Sequence, residues 1–221
     1  MIALSLYEQA LKYEREGNYA RAFNLFQECL AGQEYERGDL LFHCGWCLEQ
    51  EDSRDMRQAL SFYREAAETG ENLTCKMNSL FRAGWLLMHE KDYPAAAEYY
   101  HRVIRLGNAA AICDEIYHNA LYWLAVSLEA QGQYIEALKC YRAVQKISAL
   151  LNPESRFREI NCLNQIGSFS EALTVCKSFE EPPPTGFDEA RYRELRALAD
   201  KEYRALETCL SEEFTPTKEP L

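Results

Sequence analysis

The residues that could carry chemistry are few, and Cys44-Gly45-Trp46-Cys47 comes first among them. Two thiols three residues apart can exchange electrons as a dithiol/disulfide pair when a helix N-terminus or a neighbouring cation stabilises the thiolate. Here both cysteines fall inside a helical pattern, one turn apart on its packing face, so a thiol redox protein working through Cys44 and Cys47 is the remote reading. A zinc site needs four ligands within tetrahedral reach. No second cysteine pair has matching spacing, and His43, His89, His101 and His118 stand singly. No phosphate loop, dinucleotide fingerprint or serine elbow is present. The residues predict neither an enzyme nor a bound cofactor or metal.

A second constellation is aromatic. Tyr7, Phe42, Phe81, Tyr122 and Phe157 each follow the leading apolar residue of a helical segment. Trp46 and Trp85 come one turn after Phe42 and Phe81, and Trp123 adjoins Tyr122. The five-residue stripe reads mostly as packing, and the tryptophans read as contacts for a ligand. Rigid rings give contact area at low entropic cost. His43, Asn78, Arg82, His89, Asn119, Arg158 and Asn161 lie among these rings in the helical register, and the two arginines could fork onto a carboxylate or phosphate.

The elements that must position these residues show a repeated pattern. Leu121–Val144 holds Leu121, Leu124, Ala125 and Leu128 on one face, breaks at Gly132, and resumes with Tyr134, Ala137, Leu138, Tyr141 and Val144. Two amphipathic helices joined by so short a turn pack antiparallel. The same pattern recurs around Ala22, Ala59, Ala96, Ala137 and Ala172, at gaps of 37, 37, 41 and 35 residues. Gly17-Asn18-Tyr19, Asp92-Tyr93 and Gly167 mark further turns, and the second copy has a turn two residues longer. A single hairpin cannot bury both faces, but stacked hairpins share a continuous core.

Ala22-x3-Phe26, Ala59-x3-Tyr63, Ala96-x3-Tyr100 and Ala137-x3-Tyr141, with Gly45 and Gly84 as small first-helix residues and Ala10 and Ala125 in their place, resemble the tetratricopeptide repeat. The resemblance spans roughly residues 3–180 and departs at Arg156 and Glu159, polar residues at key sites of the fifth copy. It implies an all-α fold, an α-solenoid (right-handed superhelix) of five hairpins. It also implies that the first helices line a concave groove for a peptide or protein segment. The Lys/Asn/Arg carboxylate clamp of chaperone-adaptor relatives survives only in fragments, since Glu8 and Leu11 stand where its lysine and asparagine are expected. Gly84→Leu is expected to overpack the helix contact by roughly 1–3 kcal/mol.

After the array, residues 181–186 form a proline-rich linker, 187–211 an amphipathic helix that caps the array or associates with a second copy, and 212–221 a disordered tail. A self-associating scaffold, possible as a homodimer through that helix, is the alternative function. The net charge of −11 argues against nucleic-acid binding and gives no basic stripe for a membrane. Nine scattered cysteines suit a reducing, cytoplasmic setting. The opening MIALSLYEQALKYEREG reads as a first helix rather than a signal peptide.

Overall fold

Four of the hairpins turn on one backbone device. A residue in the left-handed region ends the first helix: Gly17 (φ 77°), Lys91 (φ 62°), Gly132 (φ 73°) and Gly167 (φ 75°). The next amide then donates back to the carbonyl five residues earlier. These bonds are Asn18 to Tyr13, Asp92 to Leu87, Gln133 to Leu128 and Ser168 to Leu163, each at 2.9 Å. This is the Schellman closure, which satisfies carbonyls that a helix end leaves orphaned. Where the next residue is Asn18 or Asp92, its side chain also caps the second helix, accepting from Arg21 N and Ala95 N. One short segment therefore stops one helix and starts the next.

The computed structural model describes residues 5–32, 34–51 and 55–213. Its α-helices are α1 (Leu6–Arg15), α2 (Tyr19–Ala31), α3 (Arg37–Gln50), α4 (Met56–Thr69), α5 (Leu73–His89), α6 (Tyr93–Ala110), α7 (Glu115–Ala130), α8 (Tyr134–Ile147), α9 (Asn152–Gln165), α10 (Phe169–Lys177) and α11 (Glu189–Glu213). No strand occurs among the described residues. The longer turn of the second hairpin and the tail beyond Glu213 fall largely outside them. The chain forms two compact units, one ending at Ala120 and the other beginning at Leu121.

In the first unit, α1/α2, α3/α4 and α5/α6 pair as hairpins, and neighbouring hairpins pack in sequence. Small residues set the close contacts. A Cβ built on Gly45 would lie 2.9 Å from Tyr63 Cε1, and one on Gly84 would lie 2.9 Å from Tyr100 Cε1. The aromatic rings of α4 and α6 thus lie against the first-helix backbone, and a side chain at Gly84 would have to displace a fully buried ring.

In the second unit, α8, α9 and α10 carry the fifth hairpin and its predecessor, and α11 packs on α9 and α10. Across the two units Ala22, Ala59, Ala96, Ala137 and Ala172 are all 0% exposed, so the recurring alanine is the innermost point of every hairpin. The last helix starts at Glu189, two residues later than the periodicity predicts, because Asp188 caps it through Ala190 N (2.8 Å). Phe187 stays outside the helix, its ring 6.2 Å from that of Tyr192. Tyr192, Leu195, Ala199 and Leu206 form the buried face of α11.

Candidate functional site

The residues singled out in the sequence lie on the first helices α1, α3, α5, α7 and α9, and they divide into three kinds by what they touch. In the first four hairpins the ring after the leading residue packs within its own hairpin. Tyr7 meets Phe26 at 6.0 Å, Phe42 meets Tyr63 at 5.7 Å, Phe81 meets Tyr100 at 5.7 Å and Tyr122 meets Tyr141 at 6.0 Å. Tyr122 is buried. Tyr7 also donates to Asp39 Oδ2 at 2.5 Å and stacks on Tyr35. This stripe is held by its own partner helices.

Three basic residues form the second kind, and each meets a glutamate of the preceding hairpin. His43 Nδ1 lies 2.7 Å from Glu14 Oε2. Arg82 donates through Nε to Glu49 Oε2 at 3.0 Å, while its Nη2 pairs with Glu49 Oε1. Arg158 donates through Nη1 to Glu129 Oε2 at 3.0 Å and through Nε to the Tyr122 hydroxyl at 3.2 Å. In two of these places the glutamate also accepts from the buried tyrosine of its own hairpin: Tyr63 to Glu49 at 2.8 Å and Tyr141 to Glu129 at 2.5 Å. Burial pushes both phenols up, so they remain donors. Tyrosine, glutamate and arginine therefore form a relay at two junctions, from the second hairpin to the third and from the fourth to the fifth. Of the two guanidinium groups expected to fork onto a ligand carboxylate, Arg82 forks onto Glu49 and Arg158 divides between Glu129 and the Tyr122 hydroxyl.

The glutamates are what sequence reasoning missed. Glu14, Glu49 and Glu129 each stand four residues after the small first-helix residue (Ala10, Gly45 or Ala125), and that fixed offset was the available signal. At the same offset the third copy has Met88, and the fourth copy has Trp123 where the others carry His43, Arg82 and Arg158. The third and fourth copies thus carry apolar residues at the positions that hold acid and base elsewhere. The hydroxyl of Tyr100, in the copy that holds Met88, is buried without a hydrogen-bond partner.

The third kind faces outward. On the first unit, Trp46 and Trp85 are partly exposed on α3 and α5. The Arg82 guanidinium lies 4.9 Å from the Trp46 ring, and Trp85 meets the exposed His89 edge-on at 4.7 Å. Asn78 and Asn119 are partly exposed on α5 and α7. On the second unit, Trp123 meets Tyr122 edge-on at 5.4 Å, and Asn161 is partly exposed on α9.

Cys44 and Cys47 are both 0% exposed. Burial pushes Cys44 up to about 12 and Cys47 higher still, with the Glu14 charge adding to the latter. Reactive dithiols need the opposite, a stabilised thiolate. Among the described residues no group of three His, Cys, Asp or Glu side chains could hold a metal ion, and no helix is long and apolar enough to cross a membrane.

Comparison with known proteins agrees with this geometry. Residues 78–106 and 118–148 each match a family model described as a tetratricopeptide repeat, and these are the third and fourth hairpins. No curated protein matches the chain. Among solved structures, MamA from AMB-1 is similar at 17% identity and a TM-score of 0.61, over 78% of this chain and 86% of that one. The TPR-like repeats of a putative kinesin light chain from Podosopora anserina align at 14% identity and a TM-score of 0.60, over 89% and 95%. RapI in its apo form gives a TM-score of 0.74 at 12% identity, and the similarity covers 94% of this chain but 61% of RapI. At these identities the likeness is one of fold. Matched repeats, repeated hairpins and shared architecture lead to one conclusion: this chain carries tetratricopeptide repeats in an all-α solenoid, an architecture that supports protein–protein interaction.

Proposed function

We propose that the chain is a non-enzymatic binding module, and that the outward residues of α3 and α5 receive an extended or helical protein segment. The observation that carries this reading is the partly exposed pair Trp46 and Trp85, placed at the same register in consecutive hairpins. Tyr7, Phe42, Phe81 and Tyr122 each meet a ring of their own hairpin, and Trp46 under Arg82 and Trp85 beside His89 add a partly exposed aromatic surface. Aromatic residues beside polar ones make anchors that a partner side chain can bury, and such anchors dominate interface energies. Asn78 can add hydrogen bonds to a bound backbone. On the second unit, Trp123 and Asn161 supply a similar mixed surface. Helix α11 covers α9 and α10 and serves the array as its cap.

The test uses Trp85→Ala combined with His89→Ala in pull-downs from lysate of the native host. A protein captured by wild type and lost with the double variant, at unchanged helicity, supports the groove. Capture of the same proteins by both would remove it.

A further inference from the structure

The fifth hairpin breaks the repeat pattern at two positions, and the structure treats them differently. Aligned on its alanine, Ala172, it has Arg156 where the other copies have Leu6, Leu41, Leu80 and Leu121. Three residues on stands Glu159, which is 4% exposed. Glu159 is fully engaged: Arg142 Nε donates to it at 2.6 Å and Gln145 Nε2 at 2.7 Å. Arg142 is engaged as well, its Nη2 reaching Glu171 at 2.9 Å.

Arg156 has no such partner. Its Nε donates to Ser178 Oγ at 3.0 Å and its guanidinium lies 4.6 Å from the Phe179 ring centroid, but it meets no carboxylate among the described residues. Its Nη2 is shielded from solvent and donates to nothing among the described residues. A guanidinium in this position costs stability that a leucine, as in the other four copies, would not.

Arg156 helps line a cleft of about 500 Å³ between α8, α9 and α10, together with Arg142, Gln145, Lys146, Asn152 and the Glu159 carboxylate, which is already held by Arg142 and Gln145. The neutral donors here are occupied: Ser178 Oγ donates to Val175 O, and Asn152 Nδ2 to Gln145 O at 2.9 Å. Lys146 forms no ion pair among the described residues. The cleft thus presents two uncompensated cations in a chain whose net charge is −11. With Nε on Ser178 and Nη2 shielded from solvent, Arg156 offers its Nη1 to the cleft and Lys146 adds a compact ammonium charge, a combination suited to an oxyanion of charge two.

We propose that this cleft is a binding site for a phosphate group, held between Arg156 and Lys146. The site lies within the second unit and is independent of the groove reading for α3 and α5.

The experiment is a titration of the full chain with inorganic phosphate at constant ionic strength, followed by thermal unfolding. At about ten times Kd, binding should raise the Tm of wild type by roughly 3–6 °C. Arg156→Leu, which restores the residue of the other four copies, should raise the basal Tm and abolish the phosphate increment. Lys146→Gln should reduce the increment. Equal increments in wild type and Arg156→Leu would overturn the proposal, as would acetate matching phosphate in wild type. If Arg156→Leu fails to fold, following the Arg156 side-chain N–H resonances during the same titration decides the matter: a saturable shift supports the site, and no shift refutes it.

Discussion

Replacing Glu49 by Gln keeps the side chain's volume and removes its charge from the relay between the second and third hairpins. Glu49 is 6% exposed and accepts from Tyr63 and from two nitrogens of Arg82, whose side chain is 21% exposed. In the variant one carboxamide oxygen must serve donors that two carboxylate oxygens serve now, and the amide group turns its own N–H groups toward a guanidinium. Removing one member of a buried pair costs roughly 3–5 kcal/mol. Arg82 keeps some access to water and its stack on Trp46, so the expected loss is lower, about 2–4 kcal/mol. For a chain of this length that corresponds to a Tm lower by roughly 4–16 °C. Urea denaturation followed by far-UV circular dichroism measures it. Glu49→Leu, Arg82→Met and their combination complete a double-mutant cycle. The combined variant should lose at least about 1.5 kcal/mol less than the sum of the singles, because a fully apolar pair leaves no stranded charge. A Glu49→Gln protein within about 0.5 kcal/mol of wild type would refute the reasoning, since surface substitutions alone fall in that range.

Tyr63→Phe and Tyr100→Phe make the same chemical change with opposite expected signs. The first removes a hydrogen bond to Glu49 and should cost about 1 kcal/mol, while the second removes a buried hydroxyl without a partner and should be neutral or stabilising in urea melts. Lys91→Gly relieves a left-handed residue that the other three Schellman turns fill with glycine, and should stabilise by about 0.5–1 kcal/mol in the same assay. Thiol labelling of the native protein should be fast at the exposed Cys113 and slow at Cys44 and Cys47. Burial raises the Cys44 thiol from 9.0 to about 12, so the folded state holds its proton where the unfolded state has lost it. Its contribution to stability is whole below pH 9.0 and declines as the pH rises toward about 12, which melts at increasing pH would show. Stability that held constant over that interval, or rapid native labelling of Cys44, would contradict this burial argument.

Much of this protein was determined by the sequence alone, because the features concerned are local. Turn position follows from Gly17, Gly132 and Gly167, which tolerate the left-handed backbone that closes a helix. The inner face follows from alanines recurring every 35 to 41 residues, since only a small side chain lets two helices approach where a tyrosine ring must also fit. The hairpin array and its family resemblance rest on those short-range patterns. What only the tertiary structure decided is the fate of the charges. Arg82 and Arg158 look the same in sequence whether they await a partner or are held by the chain. The glutamates that hold them lie 33 and 29 residues earlier, in another hairpin. Arg156 has the same side chain, yet the structure leaves it without a carboxylate while its neighbour Glu159 takes Arg142 and Gln145. Ion pairing depends on which side chains converge across hairpins at about 3 Å, and no helical periodicity within one hairpin encodes that convergence.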